Sequence, residues 1–269
     1  TRHGNVDIGF SSGVGTGDGN PALRVTQSST SFSGNLLQLQ AKRSSSSAFS
    51  LIQAYANFAS DPKFKVRGDG EVTADGSFSG GGADYAEFFE WNDGNSSNAD
   101  RVGYSVSLVN GKIKIAESGE TVIGVISGNP SVVGDAQELY WQGKYEKDDY
   151  GRDVYEDYTQ TEWVESKDNG TDTQQQIKHS YQTDKIPSGI SVPSDATVVS
   201  VDEDGNNLRR RKRSSSYDSS LTYVPRSKRK EWACVGLMGK VRLRSGQQTA
   251  GSWIKLKDIS SDVEEWLIK

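Results

Sequence analysis

Between Arg101 and Ala116 apolar and polar residues alternate in two runs, RVGYSVSLV and KIKIA, joined by Asn110-Gly111. A period of two puts successive side chains on opposite faces of a strand. Asn-Gly tolerates positive φ at both positions, so the pair predicts a tight hairpin. The next stretch, ETVIGVISGNPSVVGDA (Glu120–Ala136), is more continuously apolar. It predicts a strand buried on both faces, followed by a turn at Asn129-Pro130. EWACVGLMGKVRLRSGQQTAGSWIKLKDIS (Glu231–Ser260) predicts two more strands about a glycine-containing turn. The closing DVEEWLI sets Val263, Trp266 and Leu267 at helical or tight-turn spacing. A terminus carrying that Trp is expected to dock on the core.

Upstream the pattern thins. Gly4–Phe10, Pro21–Gln27, Gly34–Lys42, Ala48–Asn57 and Pro62–Gly76 alternate approximately, separated by Ser- and Gly-rich turns. Their apolar content is small: Leu36, Leu37 and Leu39, then Phe49, Leu51, Ile52 and Tyr55, then Phe64 and Val66. Strands so lean cannot close a private core. Interleaving three identical chains gives each strand partners and removes its free edges. The plain alternative is a loose leader lying on the next domain. Further on, Tyr140–Glu165 reads as two extended arms about Asp149-Tyr150-Gly151, and Ser166–Thr197 as a long loop or a protruding hairpin.

Composition sharpens this picture. The 269 residues are 33% hydrophobic, with 29 Gly and 6 Pro. That suits turns and β structure, and it is lean for a monomer of this length. A formal charge of -5 argues against nucleic acid as the general partner. Cys234 is the single cysteine, so no internal disulfide forms, and with His3 and His179 as the two histidines a His/Cys zinc site is not expected. The carboxylates of residues 140–165 lack EF-hand spacing and read as a solvated surface, not a metal site. The basic runs Leu208–Arg213 (LRRRKR) and Arg226–Lys230 (RSKRK) lack a Gly-rich phosphate cradle. They read as solvated loops or partners of the acidic arms, with a nucleotide contact as the weaker idea. No apolar run is long enough for a membrane span, and the start shows no signal-peptide pattern. A chain opening Thr1-Arg2-His3 reads as a piece of something longer.

The character of the chain changes at Ser77–Trp91, SFSGGGADYAEFFEW. Three glycines, Gly80 to Gly82, are followed at once by Ala83, Asp84, Tyr85, Ala86 and Glu87. A deformable backbone beside two carboxylates is what a self-cleaving site needs. An ordinary interdomain linker has the same look.

Several motifs here occur together in a known family. ADYAEFFEW with DGN (Asp93–Asn95), DRVGYSVSL, VIGVISGNPSVVGD, YWQGKY, EWACVGLMGKVRLR and WIKLKDISSDVEEWLI resemble the C-terminal intramolecular-chaperone domain of phage tail spikes and appendages, the autoproteolytic G2 peptidase domain. The resemblance covers about Gly80 to Lys269. It implies a virion protein, assembled in the host cytoplasm, whose chaperone domain gathers three chains and then cuts itself from the mature fibre. ATP is implied as a possible agent of release; no other cofactor is expected. The cut implied is Ala83–Asp84, with the Ser79–Gly80 region as a lesser candidate. Family members can carry Ser before the cut. Ala83 has no hydroxyl, which leaves a carboxylate mechanism, a cut near Ser79, or no cut.

Two acid groups can share peptide hydrolysis when their environments separate their pKa values. Glu87 is expected as the base that activates water and Asp84 as the donor to the departing amine, with the reverse open. Backbone N–H groups of the glycine turn are the expected oxyanion donors. Glu90, Trp91 and Asp93 shape the region, Trp91 by packing, while His179 stays outside the catalytic set. The expected architecture is mainly β, with an interleaved trimeric stalk over residues 1–79 and a chaperone and self-cleavage domain over 80–269. Partners are further copies of the chain, upstream fibre or spike domains, and a host cell surface. The competing reading is a permanent, uncut trimeric fibre tip that binds a receptor.

Overall fold

A computed structural model describes residues 25–41, 45–57, 60–141, 143–168, 174–202 and 204–269. The described residues fall into two units that divide between Thr73 and Ala74. The first holds a sheet in the order β1-β2-β3, with β1 antiparallel to β2, from β1 (Ser50–Ala56), β2 (Asp61–Arg67) and β3 (Val72–Ala74). β1 and β2 lie in the two segments expected to be extended, whereas residues 34–41 form no strand. The expected strand over residues 4–10 lies outside the described residues, as does most of 21–27. This unit has no buried core of its own among the described residues: Leu36, Leu37, Leu39, Leu51, Ile52 and Tyr55 are all exposed, Leu37 by 67%.

The second unit is built on an eight-stranded sheet. Its path runs β15-β16-β14-β7-β5-β6, from β5 (Ser105–Val109), β6 (Lys112–Ile115), β7 (Val122–Ile126), β14 (Trp232–Arg244), β15 (Ile254–Asp258) and β16 (Val263–Ile268). β4 (Asp84–Glu90) pairs antiparallel with β14, and β8 (Val132–Gly134) runs parallel to β4. The hairpin β5–β6 turns at Asn110 and Gly111, with φ of 51° and 78°. β7 is buried on both faces as its apolar run predicts. Its neighbours Val125 and Ile126 enter different core clusters, one with Val241, Leu243 and Ile268, the other with Trp91, Val106, Ile113 and Val235.

One expectation is overturned here. Residues 263–268 are a strand, not a helix or tight turn. Trp266 and Ile268 share one face of β16 and pack into the core, while Glu265 and Leu267 take the other face. Apolar side chains on both faces of a strand produce the same i, i+3, i+4 spacing that suggested helical turns.

The remainder is a set of smaller sheets. β10 (Gln160–Asp168) and β11 (Gln174–Gln182) form an antiparallel hairpin paired in register throughout, and β12 (Thr197–Val199) adds to β10. Within Ser166–Thr197 the end of β10 and β11 belong to a hairpin, as one of the two expectations had it, while residues 186–196 form no strand. β13 (Arg209–Arg211) pairs with β9 (Tyr155–Asp157), which brings the first basic run against the acidic arms within one chain. Arg210 bonds Glu156 at 2.7 Å, Asp184 at 2.6 Å and Gln182 at 2.9 Å. Arg211 lies over Tyr145, 4.1 Å from the ring centroid. Among the described residues no helix is long and apolar enough to cross a membrane.

Candidate functional site

β14 is the longest strand, and it changes partners along its length. Gly236 pairs with Ala86 and with Val125; Gly239 pairs with Asp84 and with Ile268. The register slips between Gly236 and Met238, and Gly239 takes φ 109°, which side-chain-bearing residues rarely adopt. The slip lies opposite Ala86 and Tyr85, and Gly239 lies opposite Asp84, the first residue of β4, so the Ala83–Asp84 peptide enters beside an irregular part of the sheet.

The peptide is gripped from both sides. The Lys240 backbone N–H donates to the Ala83 carbonyl oxygen at 3.2 Å. The Ser131 N–H donates to the Asp84 carbonyl oxygen at 2.8 Å. A Cβ on Gly82 would lie 2.3 Å from the carbonyl oxygen of Asn129, so only glycine lets the entering strand pass this turn. Gly81, Gly82, Ala83, Asp84, Ser127 and Lys240 line a cavity of about 430 Å³, which leaves room for water beside the bond.

Asp84 is 5% exposed. Its Oδ1 accepts a hydrogen bond from Ser127 Oγ at 3.2 Å, and its Oδ2 has no partner among the described residues. A Cβ on Gly236 would stand 2.5 Å from that Oδ2. Burial raises the carboxyl above its ordinary pKa; the Ser127 bond and the residue's own backbone N–H pull the other way without cancelling it. The acid therefore gives up its proton less readily than a solvated aspartate, and it stands beside its own amide nitrogen. That nitrogen is the leaving group if the bond before it breaks.

Glu87 stands elsewhere. Three residues apart on a strand, Asp84 and Glu87 point to opposite faces. The Tyr85 hydroxyl, on the same face as Glu87, donates to Glu87 Oε1, and Gly134 of β8 closes over the pair. Within one chain the two expected catalytic carboxylates are thus not brought together. The second carboxylate on the cavity wall is Glu265 of β16, which pairs loosely with Lys257 at 3.7 Å. The glycine turn is not the source of the N–H on Ala83 O; that donor is Lys240, more than a hundred residues away in sequence. Ser79 and Gly80 precede β4, and a Cβ on Gly80 would meet Ser131 Oγ at 2.2 Å.

Cys234 adjoins the site on β14. Burial and then the charge of Asp84 push its thiol up to about 11, so it is not a thiolate at neutral pH. Trp91 does pack: it is 2% exposed in the core, with the Arg101 guanidinium 4.4 Å from its ring centroid and Asp93 bonded to Arg101. Glu90 pairs with Lys112 at 2.8 Å. His179 sits on the β10–β11 hairpin, bonded to Glu165 at 2.8 Å and stacked on Trp163. Of these groups, sequence could have signalled Gly239 and Gly236, since glycine inside a strand marks a bulge or a close approach.

A strand entered through glycine, with a buried acid at its first residue, is set in a domain built of β-sheet. Residues 35–265 match the family model Peptidase_G2, IMC autoproteolytic cleavage domain, and the chain belongs to that family. It is 30% identical over 178 residues to the pre-neck appendage protein of Bacillus phage phi29, a match covering 65% of this chain and 16% of that protein. The appendage protein of Bacillus phage B103 is 29% identical over 188 residues (69% and 17%). The putative phage-related protein YobO of Bacillus subtilis (strain 168) is 28% identical over 181 residues (66% and 17%). The chain thus spans about a sixth of the length of these relatives. The crystal structure of the pre-mature bacteriophage phi29 gene product 12 superposes with a TM-score of 0.55 at 25% identity, over 77% of this chain and 24% of that one.

Proposed function

We propose that this chain drives its own homotrimerisation as part of a phage appendage and then hydrolyses its Ala83–Asp84 bond. The observation that carries the reading is the placement of Asp84, a buried acid with a raised pKa beside the amide nitrogen that must leave. Lys240 N–H already contacts the oxygen on which negative charge develops as water adds to the Ala83 carbonyl. Asp84 then protonates the departing nitrogen. No hydroxyl is needed at position 83. The exposed apolar residues of the first unit supply the surface that three copies bury together.

The base is the open part of the site. Glu87 of the same chain faces away from the bond, so we assign the base to Glu87 of a neighbouring copy. Cleavage then waits on assembly. Glu265 supports a second reading, in which the base comes from within the chain, because it already lines the cavity.

Intact mass under denaturing conditions, paired with native oligomer mass, tests the proposal. A trimer that yields a fragment beginning at Asp84 supports it. A trimer that stays intact through prolonged incubation selects the uncut fibre tip, and a stable monomer rejects both.

A further inference from the structure

The two oxygens of Asp84 are held unequally. Oδ2 is sealed in the sheet with no partner among the described residues, and a Cβ on Gly236 would stand 2.5 Å from it. Oδ1 takes the one side-chain hydrogen bond that the carboxyl receives among the described residues, from Ser127 Oγ at 3.2 Å. Buried polar groups are normally matched throughout, so the orientation of this carboxyl hangs on a single hydroxyl.

Ser127 is itself firmly tied. It is the first residue past β7, and its backbone N–H donates to the Cys234 carbonyl oxygen of β14 at 2.8 Å. Its neighbour Ile126 is buried in the core, donates to the Tyr104 carbonyl oxygen at 2.9 Å and pairs with Val235 of β14. The half-buried Ser127 side chain lines the same cavity as Ala83 and Asp84. A serine hydroxyl donates to a carboxylate and equally to the carbonyl oxygen of a neutral carboxyl, so the contact survives a change of protonation. The other titratable or charged groups around Asp84 are Cys234 of β14, and Lys240, Arg242 and Glu265 on the cavity wall; β8, made of Val132, Val133 and Gly134, brings none. Tyr85 and Glu87 take the opposite face of β4.

We propose that Ser127 is a positioning residue for self-cleavage, its hydroxyl holding the Asp84 carboxyl in the orientation from which it passes a proton to its own amide nitrogen. The role rests on the reading of Asp84 as the acid that serves the departing nitrogen. An acid that must meet one atom gains from being kept to one orientation. The same bond favours the ionised carboxyl and so opposes the burial that raises its pKa. Losing the hydroxyl therefore has two effects. The acid loses its hold, which slows proton transfer at every pH. Its pKa also rises further, so the protonated form persists to higher pH. A general acid works only while protonated, and the rate falls as pH rises through its pKa.

Two readouts test this on the full chain. Denaturing gels over time at a series of pH values give the rate profile. The ¹³C titration of the Asp84 carboxyl, assigned by its loss in Asp84→Asn, needs no cut; it is read in chains kept whole by Glu87→Gln, or by Glu265→Gln if that residue is the base. Ser127→Ala should slow cleavage about tenfold where the parent is fastest, the loss of one hydrogen bond to the acid. It should also move the alkaline fall in rate, and the carboxyl titration, to higher pH. Ser127→Thr keeps the hydroxyl and should restore both. A parent that cuts, beside a Ser127→Ala variant with the same rate profile and titration, overturns the positioning role and leaves Asp84 as the acid. A variant slowed equally at every pH, with the titration unmoved and no rescue by Thr, marks a merely structural serine and overturns it as well. A parent trimer that never cuts removes the acid role of Asp84 and this one with it. Should Ser127→Ala fail to fold, Ser127→Cys takes its place with the same shifts expected, since a thiol donates only weakly.

Discussion

Gly239 and Ala83 approach so closely that a Cβ on the glycine would stand 2.5 Å from the alanine carbonyl oxygen. The same residue sits at φ 109° and aims the next N–H at that oxygen. One position thus sets both the clearance and the polarisation of the bond. Gly239→Ala should slow self-cleavage at least tenfold. Left-handed strain at a residue with a side chain should also lower stability by about 1–3 kcal/mol. Denaturing gels over time and thermal melts separate the two effects, and cleavage at the parent rate would remove Lys240 N–H from the mechanism.

The buried acid makes a prediction with a definite sign. The folded-state pKa of Asp84 lies above its unfolded value, near 3.9. Between those two values the folded chain holds a proton that the unfolded chain has lost. Its contribution to stability is complete below the unfolded value and is lost as pH rises through the folded value. Asp84→Asn should therefore stop cleavage yet melt higher than the uncut parent at neutral pH, with the gap closing toward pH 4. An Asn variant that melts lower at pH 7 would show that the carboxylate is stabilised as an anion.

Opposite faces of β4 separate Asp84 from Glu87, and this yields a mixing experiment. Chains carrying Asp84→Asn and chains carrying Glu87→Gln should each remain uncut. Co-refolded, the Glu87→Gln chain should be cleaved, because an Asp84→Asn neighbour lends it an intact Glu87. If mixing restores nothing and Glu265→Gln alone abolishes cleavage, the base is the one within the chain.

The thiol of Cys234 should be chemically quiet. With its pKa pushed up to about 11, alkylation of the folded chain at pH 8 should be far slower than that of an unfolded control. Cys234→Ala should cleave at close to the parent rate, since the thiol takes no part.

Arg210 links β13 to Glu156, Gln182 and Asp184. Arg210→Met should lower the melting temperature and speed hydrogen exchange in β9 and β13, while self-cleavage continues. The ion pairs are partly solvated, so the loss should be about 1–2 kcal/mol and smaller in high salt.

Local chemistry was readable from the chain, and distant chemistry was not. Asn110-Gly111 announced its hairpin because the backbone requirement lies in those two residues alone. The apolar run of residues 122–126 announced burial on both sides. Val263, Trp266 and Leu267 misled, since two filled strand faces imitate a helical stripe. The glycine-to-carboxylate junction drew attention to Asp84 and Glu87 together, and strand alternation sets them on opposite faces. Lys240 N–H and Ser127 gain meaning only through contacts across long sequence separations, for which a single sequence carries no local mark.

Hydrolysis before Asp84 would create a new amino terminus on the first residue of β4, a strand still laddered to β14 and β8. Severing that bond removes no strand from the sheet. The newborn end stays laddered within its own sheet. Such a cut would free only the piece upstream of β4, and the sheet behind it would keep every strand it had.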